Sequence, residues 1–146
     1  MVWVLAVGFL GGTLVRAEFT VGSTLPKISL PSTDGAQIDL IVANGAVSLT
    51  QSSGDTRPAA VVVYLLQPDC LQCRAQLKEL QALDDRFPAR GVAVVGISHR
   101  GDMTELQQLG KDLGLKIPLL HGPDSETAKQ FAAGPCCSIF QPNKSL

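Results

Sequence analysis

The chain has 146 residues, enough for one domain with a sizeable core, and an apolar fraction of 45% that is ordinary for a globular protein. Twelve basic and 13 acidic residues leave a net charge of −1, so composition gives no electrostatic case for nucleic acid or an anionic membrane surface. No internal repeat or low-complexity tract is visible.

Met1 to Ala17 stands apart from the rest. Val2 to Val15 carries no charge and is too short for a comfortable membrane span. It reads as a secretory h-region, and Val15-Arg16-Ala17 places small or branched residues where a signal peptidase cuts. Against this, no Lys or Arg precedes the apolar run, and a short element packed on the domain is the other reading. The balance favours export, periplasmic or secreted, over the cytoplasm. Residues 1–17 are then a signal peptide or N-terminal extension, and 18–146 the domain proper.

Pro26 and Pro31 bracket a short extended piece, Lys27 to Leu30. Ser32-Thr33-Asp34-Gly35 reads as a turn and Gln37 to Ile41 as a second short strand, together a β-hairpin that Val42 to Thr50 continues. Gln51 to Pro58 reads as a polar loop.

The stretch from Ala59 to Phe87 organises the chain. Ala59 to Leu66 is uncharged, β-branched and aromatic, the pattern of a strand buried on both faces. Tyr64, within it, gives no site signal of its own. Gln67-Pro68-Asp69 makes a turn, followed by Cys70 and Cys73 in Cys-x-x-Cys spacing. Leu77, Leu80, Leu83 and Phe87 then recur at helical intervals, with charged residues between them. Asp69 is the expected N-cap, leaving Cys70 in the first helical turn.

Pro88-Ala89-Arg90-Gly91 stops that helix, and Val92 to Ser98 reads as a second central strand. Asp102 with Glu105 fits a capping box opening a helix to Leu113, with Met103, Leu106, Leu109 and Leu113 on one face. A short strand is expected at Ile117 to Leu120, a helix from Asp124 or Ser125 to Ala133, and a last strand from Cys136 to Phe140. Alternating strands and helices of this kind predict an α/β sandwich with Val61–Leu66 and Val92–Ser98 as parallel neighbours at its centre.

The placement of the cysteine pair is a chemical argument. A free thiol has a pKa near ~8.5 and is mostly protonated at neutral pH, whereas a helix N-terminus offers unpaired N–H groups and partial positive charge to a thiolate. Arg74 adds to this if it folds back. Spacing of three puts Cys70 at the exposed tip and Cys73 one turn in, close enough to close a small disulfide ring. The same pair is equally half of a zinc or copper site, with His99 as a further ligand, or two buried core residues. His99 and His121 end expected parallel strands, at the sheet edge where open α/β sheets bind ligands; each reads as a base, a ligand or a solvated loop residue. Cys136 and Cys137 read either as small apolar strand residues or as a resolving thiol plus a neighbour facing the opposite side.

The segment from Val61 to Leu83, with Cys70-Leu71-Gln72-Cys73-Arg74-Ala75-Gln76-Leu77, resembles the thioredoxin-like superfamily and, within it, the redoxin or peroxiredoxin-like branch (the alkyl hydroperoxide reductase and thiol-specific antioxidant group). The resemblance runs from about Val21 to Phe140. It implies a mixed central sheet flanked by helices, an N-terminal hairpin extension, and thiol-dependent oxidoreductase activity with Cys70 and Cys73 catalytic. It also implies that Pro135 is the proline facing the motif in the cis form, a substrate-binding element alongside Arg74, with Cys136 as a further resolving thiol.

Two departures matter. Typical two-cysteine peroxiredoxins carry Pro-x-x-x-Thr/Ser-x-x-Cys; counted back from Cys73, those places hold Leu66 and Cys70. The family also holds peroxide with a late arginine, and only Lys144 follows Lys129 here. The chain ends about where a final strand and helix follow in the family, the pattern of a minimal or truncated variant. The missing peroxide-binding groups favour disulfide exchange, with Cys70 attacking and Cys73 resolving, over a peroxidase with Cys73 as the peroxidatic thiol. A copper- or zinc-binding module is the third reading. The expected partners are a disulfide protein or a hydroperoxide, plus a thiol electron donor. No cofactor, nucleic acid or stable membrane span is expected.

Overall fold

A computed structural model of the chain describes residues 27–43, 46–51, 54–87, 91–123 and 126, and the backbone of 137–140. Two four-stranded sheets and two helices make up this part. The first sheet is an antiparallel meander of β1 (Ile28–Pro31), β2 (Gln37–Ala43), β3 (Ala46–Gln51) and β4 (Gly54–Thr56). The expected hairpin is therefore four strands, and the span read as a polar loop contributes the fourth. Ala43 pairs with Ala46, and the two residues between them in the sequence, Asn44-Gly45, are the dipeptide that most strongly favours a tight hairpin.

The second sheet has the order β7-β6-β5-β8, from β7 (Leu119–His121), β6 (Val92–Ser98), β5 (Ala60–Leu66) and β8 (Cys137–Phe140). β5 and β6 are parallel, as are β6 and β7, while β8 runs antiparallel to β5. It is the mixed sheet expected, with the two apolar runs at its centre. All seven residues of β5 are buried, because both faces of the strand are covered.

What covers them differs. Val61, Val63, Leu65, Val95 and Ile97 pack against Ile28, Leu30, Ile38, Leu40, Val47 and Leu49 of the meander. The meander strands alternate, with Ile38 and Leu40 inward and Gln37, Asp39 and Ile41 outward, as a sheet with one wet face requires. A bridge between Ser32 and Leu120, with Thr33 N–H donating to the Leu119 carbonyl at 3.0 Å, ties the two sheets at one edge.

On the other face, Val62, Tyr64, Leu66 and Val94 meet α1 (Leu71–Arg86) and α2 (Met103–Leu113). α2 docks as its pattern predicts, burying Leu106 and Leu109. α1 does not: Leu77 is buried and Leu80 partly so, but Leu83 is 38% exposed. Gln81 is buried instead, its Oε1 accepting the Lys116 and Ile117 N–H groups at 2.6 and 3.0 Å. This is how α1 satisfies the backbone leading into β7, which would otherwise be buried unpaired. The helix expected from residue 124 or 125 lies almost wholly outside the described residues, as do residues 1–17. Among the described residues no helix is long and apolar enough to cross a membrane.

Candidate active site

β5 ends at Leu66, and the turn through Pro68 and Asp69 is closed by the Cys70 N–H donating to the Gln67 carbonyl at 3.2 Å. That turn delivers Cys70 to the start of α1 in extended conformation (φ −85°, ψ 112°). Cys70 is itself the N-cap, not Asp69, which stays exposed on the turn. Its sulfur accepts the Cys73 N–H at 3.2 Å, where a capping oxygen would normally sit.

The two cysteines share one pocket of hydrogen bonds but not one environment. Both are reduced and half-buried. The Cys73 thiol and backbone N–H, and then the Gln72 N–H, hold the Cys70 thiol below its ordinary range. Burial pushes the Cys73 thiol up, and the hydrogen bond with Cys70 acts in the same direction. The Gln67 N–H and the Tyr64 hydroxyl work against that rise. Cys73 packs against the helix-side core, beside Tyr64 and Leu77. The surroundings therefore favour the thiolate at Cys70 over the thiolate at Cys73.

Arg74 does not fold back on the motif. Its Nη1 lies 3.7 Å from Asp112 Oδ2 of α2, and it is not among the groups acting on Cys70. His99 is half-buried at the end of β6, where its Nε2 meets the Gln67 side-chain amide at 3.2 Å. Burial, and then the Arg100 charge, hold its pKa down. Neutral, it accepts the Gln67 amide at Nε2 and carries its proton on Nδ1. That atom is buried with no polar partner among the described residues. His99 is thus not a solvated loop residue. His121, by contrast, donates from Nε2 to the Gly101 carbonyl at 3.0 Å and has no contact with the cysteine pair. Among the described residues no group of three His, Cys, Asp or Glu is gathered that could hold a metal ion, so the trio of Cys70, Cys73 and His99 does not form one. Pro135 and Cys136 lie outside the described residues. Cys137 stands opposite Tyr64 in the β5–β8 register.

The residue that sequence reasoning missed is Tyr64. It alternates onto the helix side of β5, is 3% exposed, and its hydroxyl donates to Gln76 Oε1 as well as reaching Cys73. A polar tip on an otherwise apolar strand, six residues before the first cysteine, was the available signal.

Residues 21–140 match the AhpC/TSA family. The chain belongs to that family. It is a thiol-dependent oxidoreductase of the redoxin branch of the thioredoxin-like superfamily. The fold is that of solved thioredoxin-like structures. The thioredoxin domain of a thiol-disulfide oxidoreductase from Bacteroides vulgatus superposes with a TM-score of 0.62 at 12% identity, covering 86% of this chain and 84% of that one. A thiol-disulfide oxidoreductase from Bacteroides fragilis gives 0.58 at 21%, covering 82% and 84%. Peroxidoxin BcpB from Mycobacterium tuberculosis gives 0.55 at 18%, covering 76% and 64%. A search of curated proteins finds no match.

Proposed function

We propose that this oxidoreductase exchanges disulfides, with Cys70 as nucleophile and Cys73 as resolving thiol. The observation that supports it is the opposite treatment of the two sulfurs: the Cys73 thiol and then the Cys73 and Gln72 N–H groups favour the thiolate at Cys70, and burial disfavours it at Cys73. The Cys70 thiolate attacks one sulfur of a substrate disulfide, forming a mixed disulfide and releasing the other substrate sulfur as thiolate. Cys73 then attacks Cys70 Sγ, closing the Cys70–Cys73 disulfide and releasing the second substrate thiol. The substrate is reduced by two electrons, and a thiol donor restores the pair. Leu71, 82% exposed between the cysteines, offers an apolar contact to a protein substrate. Arg74 is paired with Asp112 of α2 rather than with the cysteine pair, so no role in these steps is assigned to it.

A peroxidase would require the thiolate at Cys73, the site that burial disfavours. The two readings separate in the single mutants, each offered a protein disulfide and hydrogen peroxide in turn. Disulfide exchange predicts partner trapped on Cys70 in Cys73→Ser and no adduct at all in Cys70→Ser, read by mass spectrometry. Fast sulfenic acid on Cys73 in Cys70→Ser, with no disulfide exchange in wild type, would establish the peroxidase instead.

A further inference from the structure

The hydroxyl of Tyr64 sits between two acceptors. One is Gln76 Oε1, the other the Cys73 sulfur. A phenol has a single proton to donate and lone pairs to accept with, whereas a carbonyl oxygen only accepts. While Cys73 is a thiol, its S–H points to the Cys70 sulfur, and the Tyr64 O–H points to Gln76. Once Cys73 is a thiolate it can only accept, and a hydrogen bond to an anion is roughly twice as strong as one to a neutral oxygen. The phenol proton then belongs on the sulfur side. The exchange is cheap for Gln76, which is half-exposed and can turn to water. It is not open to Tyr64, which is buried among Val62, Leu66 and Leu77.

We propose that Tyr64 is a positioning residue for the resolving step, its hydroxyl rotating from Gln76 to the Cys73 sulfur as that thiol loses its proton. The inference rests on the reading of Cys73 as the resolving thiol. In the step, Cys73 gives its proton to solvent base, and its sulfur attacks Cys70 Sγ. The bond from Cys70 to the substrate sulfur breaks, and the departing thiolate takes a proton from solvent. Tyr64 gains and loses none. The Gln67 N–H is the fixed second donor to the same sulfur. Cys70, on the same turn, and Tyr64, on β5, are the titratable side chains that act on Cys73.

The test is the reaction of the full chain with 5,5′-dithiobis(2-nitrobenzoate), in which attack by Cys70 releases one thionitrobenzoate and resolution by Cys73 a second. Tyr64→Phe removes the hydroxyl and keeps the ring. It should leave the first phase unchanged, slow the second by roughly tenfold to a hundredfold, and move the second phase to higher pH. Gln76→Leu removes the competing acceptor and should leave the second phase as fast as wild type or faster, shifted to lower pH. A second phase at wild-type rate in Tyr64→Phe, equal slowing of both phases, or a Gln76→Leu protein as slow as Tyr64→Phe would overturn the proposal. Should Tyr64→Phe not fold, the direction of change in Gln76→Leu decides. A wild-type protein that shows no first phase refutes the disulfide-exchange reading itself, and this inference with it.

Discussion

The two helices begin side by side and are capped in opposite ways. At α2, Asp102 Oδ1 accepts the Glu105 N–H at 2.8 Å, and Glu105 Oε2 accepts the Asp102 N–H at 3.0 Å. The helix closes on Gly114 in the left-handed conformation. A complete capping box and an acidic residue in the first turn are present, and nothing there is reactive. At α1 the cap is a sulfur, a weak acceptor, and the first turn holds no acidic residue. The N–H groups that a carboxylate would satisfy are left for the Cys70 thiolate. A helix start can thus favour stability or reactivity, and this chain does one at each.

The sharpest way to break that contrast is to give α1 the cap of α2. Cys70→Asp should abolish disulfide exchange while raising stability by roughly 0.5–1 kcal/mol, since Asp ranks among the best N-caps. Urea unfolding and thionitrobenzoate release measure the two effects. A loss of stability would mean that Cys70 already caps α1 at full strength.

Gly101 joins the two helix starts. Its φ is +77°, and a Cβ there would lie 2.6 Å from Glu105 Oε2 and 3.1 Å from the Pro68 ring, just before the cysteine motif. Gly101→Ala should therefore cost about 1–3 kcal/mol and also slow exchange, because the clash reaches both starts at once. Unfolding with exchange rates on the same preparation tests this. Lost stability at an unchanged rate would show the two starts to be independent.

How much of this was legible in the sequence follows from how local each cause is. β5, β6 and the α2 capping box are written in adjacent residues, and they formed as read. So did the strand–turn–helix setting of Cys70 and Cys73. β3 falls within the Val42 to Thr50 continuation of the hairpin, where Val47 and Leu49 alternate as an inward face should, whereas β4 lies in the span read as a polar loop because Gly54 to Thr56 is exposed throughout and carries no inward face. The α1 face was misread because the need for Gln81 arises at Lys116 and Ile117, far along the chain. The partners of Tyr64, His99 and Arg74 depend likewise on how the helices and the neighbouring strand lie against β5. No spacing rule carries that information.

A smaller effect sharpens the contrast from the α2 side. Asp102→Ala removes the capping box, and should cost about 1 kcal/mol of stability with the alkylation rate of Cys70 unchanged. Iodoacetamide kinetics beside thermal unfolding would show it. A slower Cys70 would mean that the α2 cap also shapes the reactive turn.

The smallest effect is a displacement along the pH axis, and it decides the division of labour between the thiols. Alkylation consumes thiolate, so its rate at each cysteine rises with pH and levels off above that cysteine's pKa. The fold favours the Cys70 thiolate, so its folded pKa lies below its unfolded one. The stability this lends is present above the unfolded pKa and lost as pH falls through the folded one. The Cys70 midpoint should accordingly fall below the ~8.5 of a free cysteine. Cys73 is shifted the other way, chiefly by burial, so its midpoint should lie above that of Cys70. Each site is read by mass spectrometry in the single Ser variant of the other. Part of each shift is the thiol–thiol hydrogen bond itself, and Ser keeps a hydroxyl donor at either position, so the order of the two midpoints should hold in those variants. If Cys73 ionises first, the helix N–H groups do not govern Cys70, and the nucleophile of this site is the inner cysteine.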